Sequence, residues 1–207
     1  MGGQLLYAHL ALNGAERIAA AVTLCAPVVF DAPRSQARAL ALAARLMPAS
    51  WSLPSRSLHQ ALAPLTGAQI WHGLGVELDG PAARGLMLHS VGDLHAGLLG
   101  QLATWLGTGA LCDRHDRLDY VAGMAKTQAP VMVVAAEGDT ICPPAHARPA
   151  FDALDKDRAC WLQLDARWGH LDPLVGRRAS DDLHPELFRW LVRWRGRCCL
   201  DRAAANG

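Results

Sequence analysis

Asp139 and His170 carry the side chains best suited to shared chemistry, and each stands in a loop that directly follows an apolar run. The first loop reads Glu137-Gly138-Asp139-Thr140-Ile141-Cys142-Pro143-Pro144, and the second Arg167-Trp168-Gly169-His170-Leu171-Asp172. A carboxylate beside an imidazole fixes which ring nitrogen holds the proton and stabilises the imidazolium, as a general base serving a nucleophile requires. Taken singly, neither is distinctive: Gly-Asp is ordinary turn chemistry, and the chain contains nine histidines. Their weight comes from being paired. Asp165 and Asp172 are rival acids. Asp172, two residues from His170, is expected to cap the following turn, and Asp165 is separable by its distance from the imidazole.

Other reactive side chains show no such pattern. Cys25, Cys112, Cys142, Cys160, Cys198 and Cys199 are irregularly spaced, with no CxxC pair. They suggest neither a zinc site nor a disulfide framework, and a reduced, cytoplasmic setting is expected. His9, His89, His95, His115 and His146 lack paired metal-ligand spacing and read as surface or cap polarity. Arg189, Arg193, Arg195 and Arg197 read as solvated complements to a helix C-terminus. Without a dinucleotide fingerprint or a P-loop, no cofactor is expected.

The elements that must position Asp139 and His170 follow from patterning. Pro130 to Ala136 and Cys160 to Leu164 read as buried parallel strands, with a helix from Pro144 to Leu154 between them and a closing helix from Asp181 to Arg195. Strand, helix, strand, helix implies right-handed crossovers, and in open parallel sheets the working groups lie beyond the carboxyl ends of the strands. That would bring Asp139 and His170, 31 residues apart, to one edge of the sheet. At the start, Gly3 to Asn13 has helical spacing and stops at Asn13-Gly14, a pair suited to a left-handed cap. The run Ile18 to Cys25 leans towards a further buried strand. Between about Asp31 and Gln128 the pattern shows helices and no convincing strand. One helix spans Ser35 to Leu46. Another follows a capping-box-like Ser90-Val91-Gly92-Asp93 and places Leu94, Leu98, Leu102, Trp105 and Leu106 on one face. Gly73 to Gly85 reads as loop.

Composition sets the bounds. The chain has 207 residues and a formal net charge of +1, which argues against an electrostatic nucleic-acid binder. With 51% hydrophobic and 19% charged residues it is suited to one sizeable core. No apolar run is long enough to span a membrane, and Met1-Gly2-Gly3-Gln4 does not read as a secretory leader.

The order strand, Gly138-Asp139, helix, strand, Gly169-His170, helix resembles the last two strands of the α/β-hydrolase superfamily, where the acid follows one strand and the histidine the next. The likeness extends to Asp119-Tyr120, to Ala129-Pro130, and to Gly169-His170-Leu171-Asp172 with Gly176-Arg177-Arg178 behind it. These resemble esterase- or lipase-like members, some related to polyester synthases and depolymerases. Ser90, Gln101 and Trp105 look like the cap segment of the same members. The resemblance implies a short parallel sheet with a helical cap insertion, forming the C-terminal part of an α/β-hydrolase fold. It divides the chain into a post-elbow helix and strand (1–30), a helical cap (31–118), and the acid and histidine strands with the closing helix (119–207).

In that superfamily the nucleophile elbow reads GxSxG, often continuing Met-Gly-Gly into a helix. This chain begins Met1-Gly2-Gly3-Gln4, one residue after the nucleophile is expected, and none of its seven serines has glycines at −2 and +2. The resemblance implies that Asp139 orients His170, that His170 shuttles the proton, and that the Met1 backbone N–H occupies an oxyanion-hole position. The nucleophile, whether Ser, Cys or Asp, precedes Met1 on this reading. The implied substrate is a small carboxylic ester or related acyl compound, and the chain as written is expected to lack the covalent chemistry. Two alternatives stay open. One is a catalytically inactive remnant or partner-binding subunit, self-associating through an exposed strand edge. The other is a polyester-synthase-like acyltransferase, for which Cys25 and Cys142 are the nearby thiols.

Overall fold

In the computed structural model, residues 1–15, 17–31, 33–48, 51–55, 57 and 92–195 are described. A three-stranded parallel sheet lies at the centre. It is built from β1 (Ala21–Leu24), β4 (Val131–Ala136) and β5 (Ala159–Leu164), in the order β1-β4-β5. Every residue of β4 is buried, as expected of a strand flanked on both edges and covered on both faces. Its pairing aligns Ala21 with Val131 on one side and Val131 with Ala159 on the other.

Strand alternation sorts the core into two layers. Val131, Val133 and Ala135 face a cluster with Tyr7 and Leu10 of α1 (Gly2–Asn13). Met124 of α4 (Tyr120–Met124) and Ala147 and Ala150 of α5 (Pro144–Ala153) complete that face. Ala136 faces the other way, packing with Trp168, Ala179 and Leu183 and with the flanking Leu162, Leu164 and Leu187. That second layer is closed by α7 (His184–Arg195). The Tyr7 hydroxyl and Thr23 Oγ1, 2.7 Å apart, share a hydrogen bond that ties α1 to β1 inside the first layer. Gly3 is required there, because a Cβ would lie 2.3 Å from Ala26 Cβ. The start of α1 is thereby pinned against the residue just past the carboxyl end of β1.

The middle of the chain departs from the expected pattern. Helix α2 (Arg34–Leu46) packs against α3 (Ala96–Thr108), but a two-residue antiparallel ladder precedes α3, pairing β2 (Ser52–Leu53) with β3 (Leu94–His95). A ladder that short carries no periodicity in the sequence. Helix α3 starts at Ala96 with His95 at the N-cap and no side-chain cap bond, while Ser90 and Val91 lie outside the described residues. Ala96, Leu99, Ala103 and Trp105 are buried, whereas Leu98 and Leu102 are only partly so. Gln101 Nε2 and Trp105 Nε1 both donate to the Cys112 carbonyl, at 2.9 and 2.8 Å, and Trp105 stacks on Phe30. The Gly73 to Gly85 loop falls outside the described residues.

At the ends of the sheet region two further differences appear. Gly14 has positive φ but ψ of −142°, so α1 ends without a left-handed cap. The closing helix is preceded by a π-helical turn over Ala179–Leu183 in place of one continuous helix from Asp181. Among the described residues no helix is long and apolar enough to cross a membrane.

Candidate active site

Adjacent parallel strands β4 and β5 end on the same side of the sheet, and each delivers one polar group there. Asp139 follows β4, and its side chain is fully buried. His170 follows β5, and 22% of its side chain is exposed. His170 Nδ1 lies 2.8 Å from Asp139 Oδ2. An ionised carboxylate only accepts, so Nδ1 is the donor, and in the neutral ring Nε2 then keeps its lone pair.

Asp139 is held from three directions. Its Oδ1 accepts from the backbone N–H groups of Ile141, at 2.8 Å, and Cys142, at 2.7 Å. Its Oδ2 faces the imidazole. Burial by itself would raise the carboxyl, but the bonds from His170, Cys142 and Ile141 outweigh it and hold Asp139 below the ordinary carboxylate range. Pro144 starts α5 immediately afterwards, at a position where a missing N–H is harmless.

The two loops meet through Gly138. A Cβ there would lie 2.5 Å from the Ala166 carbonyl oxygen and 2.7 Å from that of Trp168, both backbone atoms. Only glycine allows the acid loop and the histidine loop to approach so closely. The histidine loop has its own brace. The buried Asp172 carboxylate accepts from the Gly169 N–H at 2.7 Å. Asp172 therefore reaches back to the loop before it while standing at the first position of α6 (Asp172–Val175), whose N-cap is Leu171.

The remaining candidates fall into place by geometry. Asp165 is taken by Arg167, which bonds it from its backbone and its guanidinium and holds the Asp165 carboxyl down to about 2. It is exposed and does not contact the imidazole. Met1 stands at the N-cap of α1, half exposed, and its carbonyl accepts from the Leu5 N–H. The Gly3 contact with Ala26 puts this helix start at the end of the sheet that carries Asp139 and His170.

Cys25 is the residue whose place the sequence does not foretell. It shares the parity of Ala21 and Thr23, which face α1, yet its side chain packs in the opposite layer. A φ of +49° turns it over, a conformation that costs a residue with a Cβ about 1 kcal/mol or more. The turn brings its thiol beside Asp139 and His170. Burial and the Asp139 carboxylate push that thiol up, and burial pushes Cys142 up to about 12.

No family model and no curated protein matches the chain. Solved structures do. A monoacylglycerol lipase from Paleococcus ferrophilus is similar with a TM-score of 0.61 and 15% identity, over 92% of this chain and 65% of that one. A thermophilic esterase from Thermogutta terrifontis follows with a TM-score of 0.55 and 16% identity, over 93% and 62%. A meta-cleavage product hydrolase from Pseudomonas fluorescens has a TM-score of 0.54 and 13% identity, over 92% and 61%. The chain thus spans less than two thirds of the length of these structures. At such identities the likeness is one of fold, and it agrees with the parallel strands and the loops they carry. The chain has a partial α/β-hydrolase fold.

Proposed function

We propose that Asp139 and His170 are the acid and the base of a site that hydrolyses a small carboxylic ester or related acyl compound. The observation that carries this reading is the 2.8 Å contact between His170 Nδ1 and Asp139 Oδ2 beyond the ends of neighbouring parallel strands. Asp139 fixes the tautomer, Nε2 takes the proton from an attacking hydroxyl or thiol, and the imidazolium returns it to the leaving alkoxide. On this reading the nucleophile is not among residues 1–207. The start of α1, with the Met1 N–H, supplies a donor to the developing oxyanion, and the helices of the middle segment select the acyl group. The fold shared with a lipase and an esterase supports this assignment.

The test joins sequence to activity. The reading frame ahead of the Met1 codon is expected to encode Gly-x-Ser, Gly-x-Cys or Gly-x-Asp, and its product to turn over p-nitrophenyl butyrate. His170→Ala should reduce that turnover at least 10³-fold, by the scale of losing a general base (about 10²–10⁴) together with nucleophile activation. A stop codon or unrelated sequence at that place, or turnover indifferent to His170→Ala, contradicts the proposal.

One observation favours a second reading. Among the described residues β1 pairs only with β4, and no other described strand covers its second edge, the kind of edge that takes strand addition. A non-catalytic, self-associating protein would be dimeric by light scattering and inert towards esters. The acyltransferase alternative gains nothing, since Cys25 and Cys142 are both kept protonated by burial.

A further inference from the structure

The proposed acid–base pair leaves one neighbouring group unused. The Cys25 thiol sulfur, a carboxylate oxygen of Asp139 and a ring nitrogen of His170 all lie within 4.8 Å of one another. We propose that these three side chains form a binding site for a soft divalent cation of the zinc class, with a fourth position open to water.

The donor set carries the argument. Thiolate, imidazole and carboxylate are the three ligand types that such ions take, and a tetrahedral site of this kind has ligand atoms about 3.5 Å apart. Taken through Nδ1, the His170–Asp139 pair, now 2.8 Å apart, has to open by about 0.7 Å and the sulfur to close by no more than about 1.3 Å to reach that spacing. Among the described residues no other three such side chains come together. Each donor is also held from behind. The Cys25 N–H donates to the Val134 carbonyl, Asp139 accepts from Ile141 and Cys142, and the His170 loop is braced by Asp172. Supporting bonds of this sort orient ligands for a metal. Access comes through the imidazole, the only one of the three that is partly exposed.

Burial first, and the Asp139 carboxylate second, disfavour the thiolate without an ion. Asp139 sits beside it, so a second anion there is unfavourable. A divalent cation reverses the balance: Cys25 loses its proton to solvent, sulfur bonds the ion, and the two anionic donors neutralise it. An ion on either ring nitrogen occupies the lone pair or the tautomer that proton transfer needs, so metal binding and general-base action by His170 exclude each other.

The site is tested with cobalt(II) as the probe, titrated into the 207-residue chain in reducing, chelator-free buffer. The expected result is a thiolate-to-cobalt charge-transfer band saturating at one equivalent and bleached by zinc. Cys25→Ser should remove the band. His170→Ala, at a partly exposed ring, should weaken binding at least tenfold, while Cys112→Ser and Cys160→Ser should leave it unchanged. Circular dichroism on both site variants separates lost binding from lost fold, and the His170 variant decides the matter if Cys25→Ser unfolds. Absence of the band, its survival in Cys25→Ser, or unchanged affinity in folded His170→Ala overturns the site. The outcome is independent of the hydrolase reading. Cobalt binding without ester turnover upholds the site alone, and turnover without the band upholds the hydrolase alone.

Discussion

The acid loop and the histidine loop are each secured by an aspartate, but the two carboxylates do opposite jobs. Asp139 carries the proposed chemistry itself, and its loop folds around it, with two backbone N–H groups fixing one oxygen so that the other meets the imidazole. Asp172 is not the functional group. It holds the backbone at Gly169 and leaves the next side chain, His170, partly exposed. A group that orients needs immobility and burial, whereas a group that moves protons needs a fixed hinge and an open side. The fold supplies the two with the same residue type placed differently.

Closing the gap between the loops should have the largest effect. Gly138→Ala sets a Cβ against two backbone oxygens that cannot rotate away, and a loss of about 3 kcal/mol or more in urea unfolding is expected. A loss below about 0.5 kcal/mol would show that the loops approach less closely than described. Next comes the brace. Asp172→Ala leaves the buried Gly169 N–H without this acceptor, at a cost of about 1–3 kcal/mol. If the loops differ as described, the same variant disorders His170 while Asp139 keeps its bonds to Ile141 and Cys142, visible as amide exchange confined to residues near 169.

A pH series separates the two carboxylates by charge. Asp139 ionises below its unfolded value of about 3.9, so the stability it contributes is complete above that pH and is lost as pH falls through the depressed folded value. The stability difference between wild type and Asp139→Asn should therefore narrow on acidification below about pH 4 and stay flat from there to neutrality. A gap that widens on acidification would contradict the assignment. Smallest of all, Arg148→Ala removes an exposed ion pair with Asp152 and the guanidinium contacts with Phe151 and Trp161. It should cost no more than about 1 kcal/mol and leave both loops unchanged.

Much of this arrangement was legible in the sequence because it rests on local signals. Val131 to Ala136 is a continuous apolar run of strand length, and loops after parallel strands are where polar groups gather, so Asp139 and His170 could be paired across 31 residues. What was not legible depends on tertiary contact. Gly138 reads as an ordinary turn glycine until the Ala166 and Trp168 carbonyls are seen against it. Cys25 reads as the end of a strand, and only its positive φ sends it into the site. Asp172 has the position of a turn cap, and its bond from the Gly169 N–H shows only in the folded loop. In α3 the buried face includes Leu99 where Leu98 was expected, and the β2–β3 ladder takes Leu94 and His95 out of the helix.

The tautomer of His170 tests the central claim most directly. Nitrogen-resolved NMR of the imidazole in the neutral form should show the proton on Nδ1, strongly deshielded by Asp139, and Asp139→Ala should shift the ring towards the Nε2–H form. A wild-type ring already protonated on Nε2, or a tautomer unchanged by Asp139→Ala, would contradict the assignment of Asp139 and His170 as an acid–base pair.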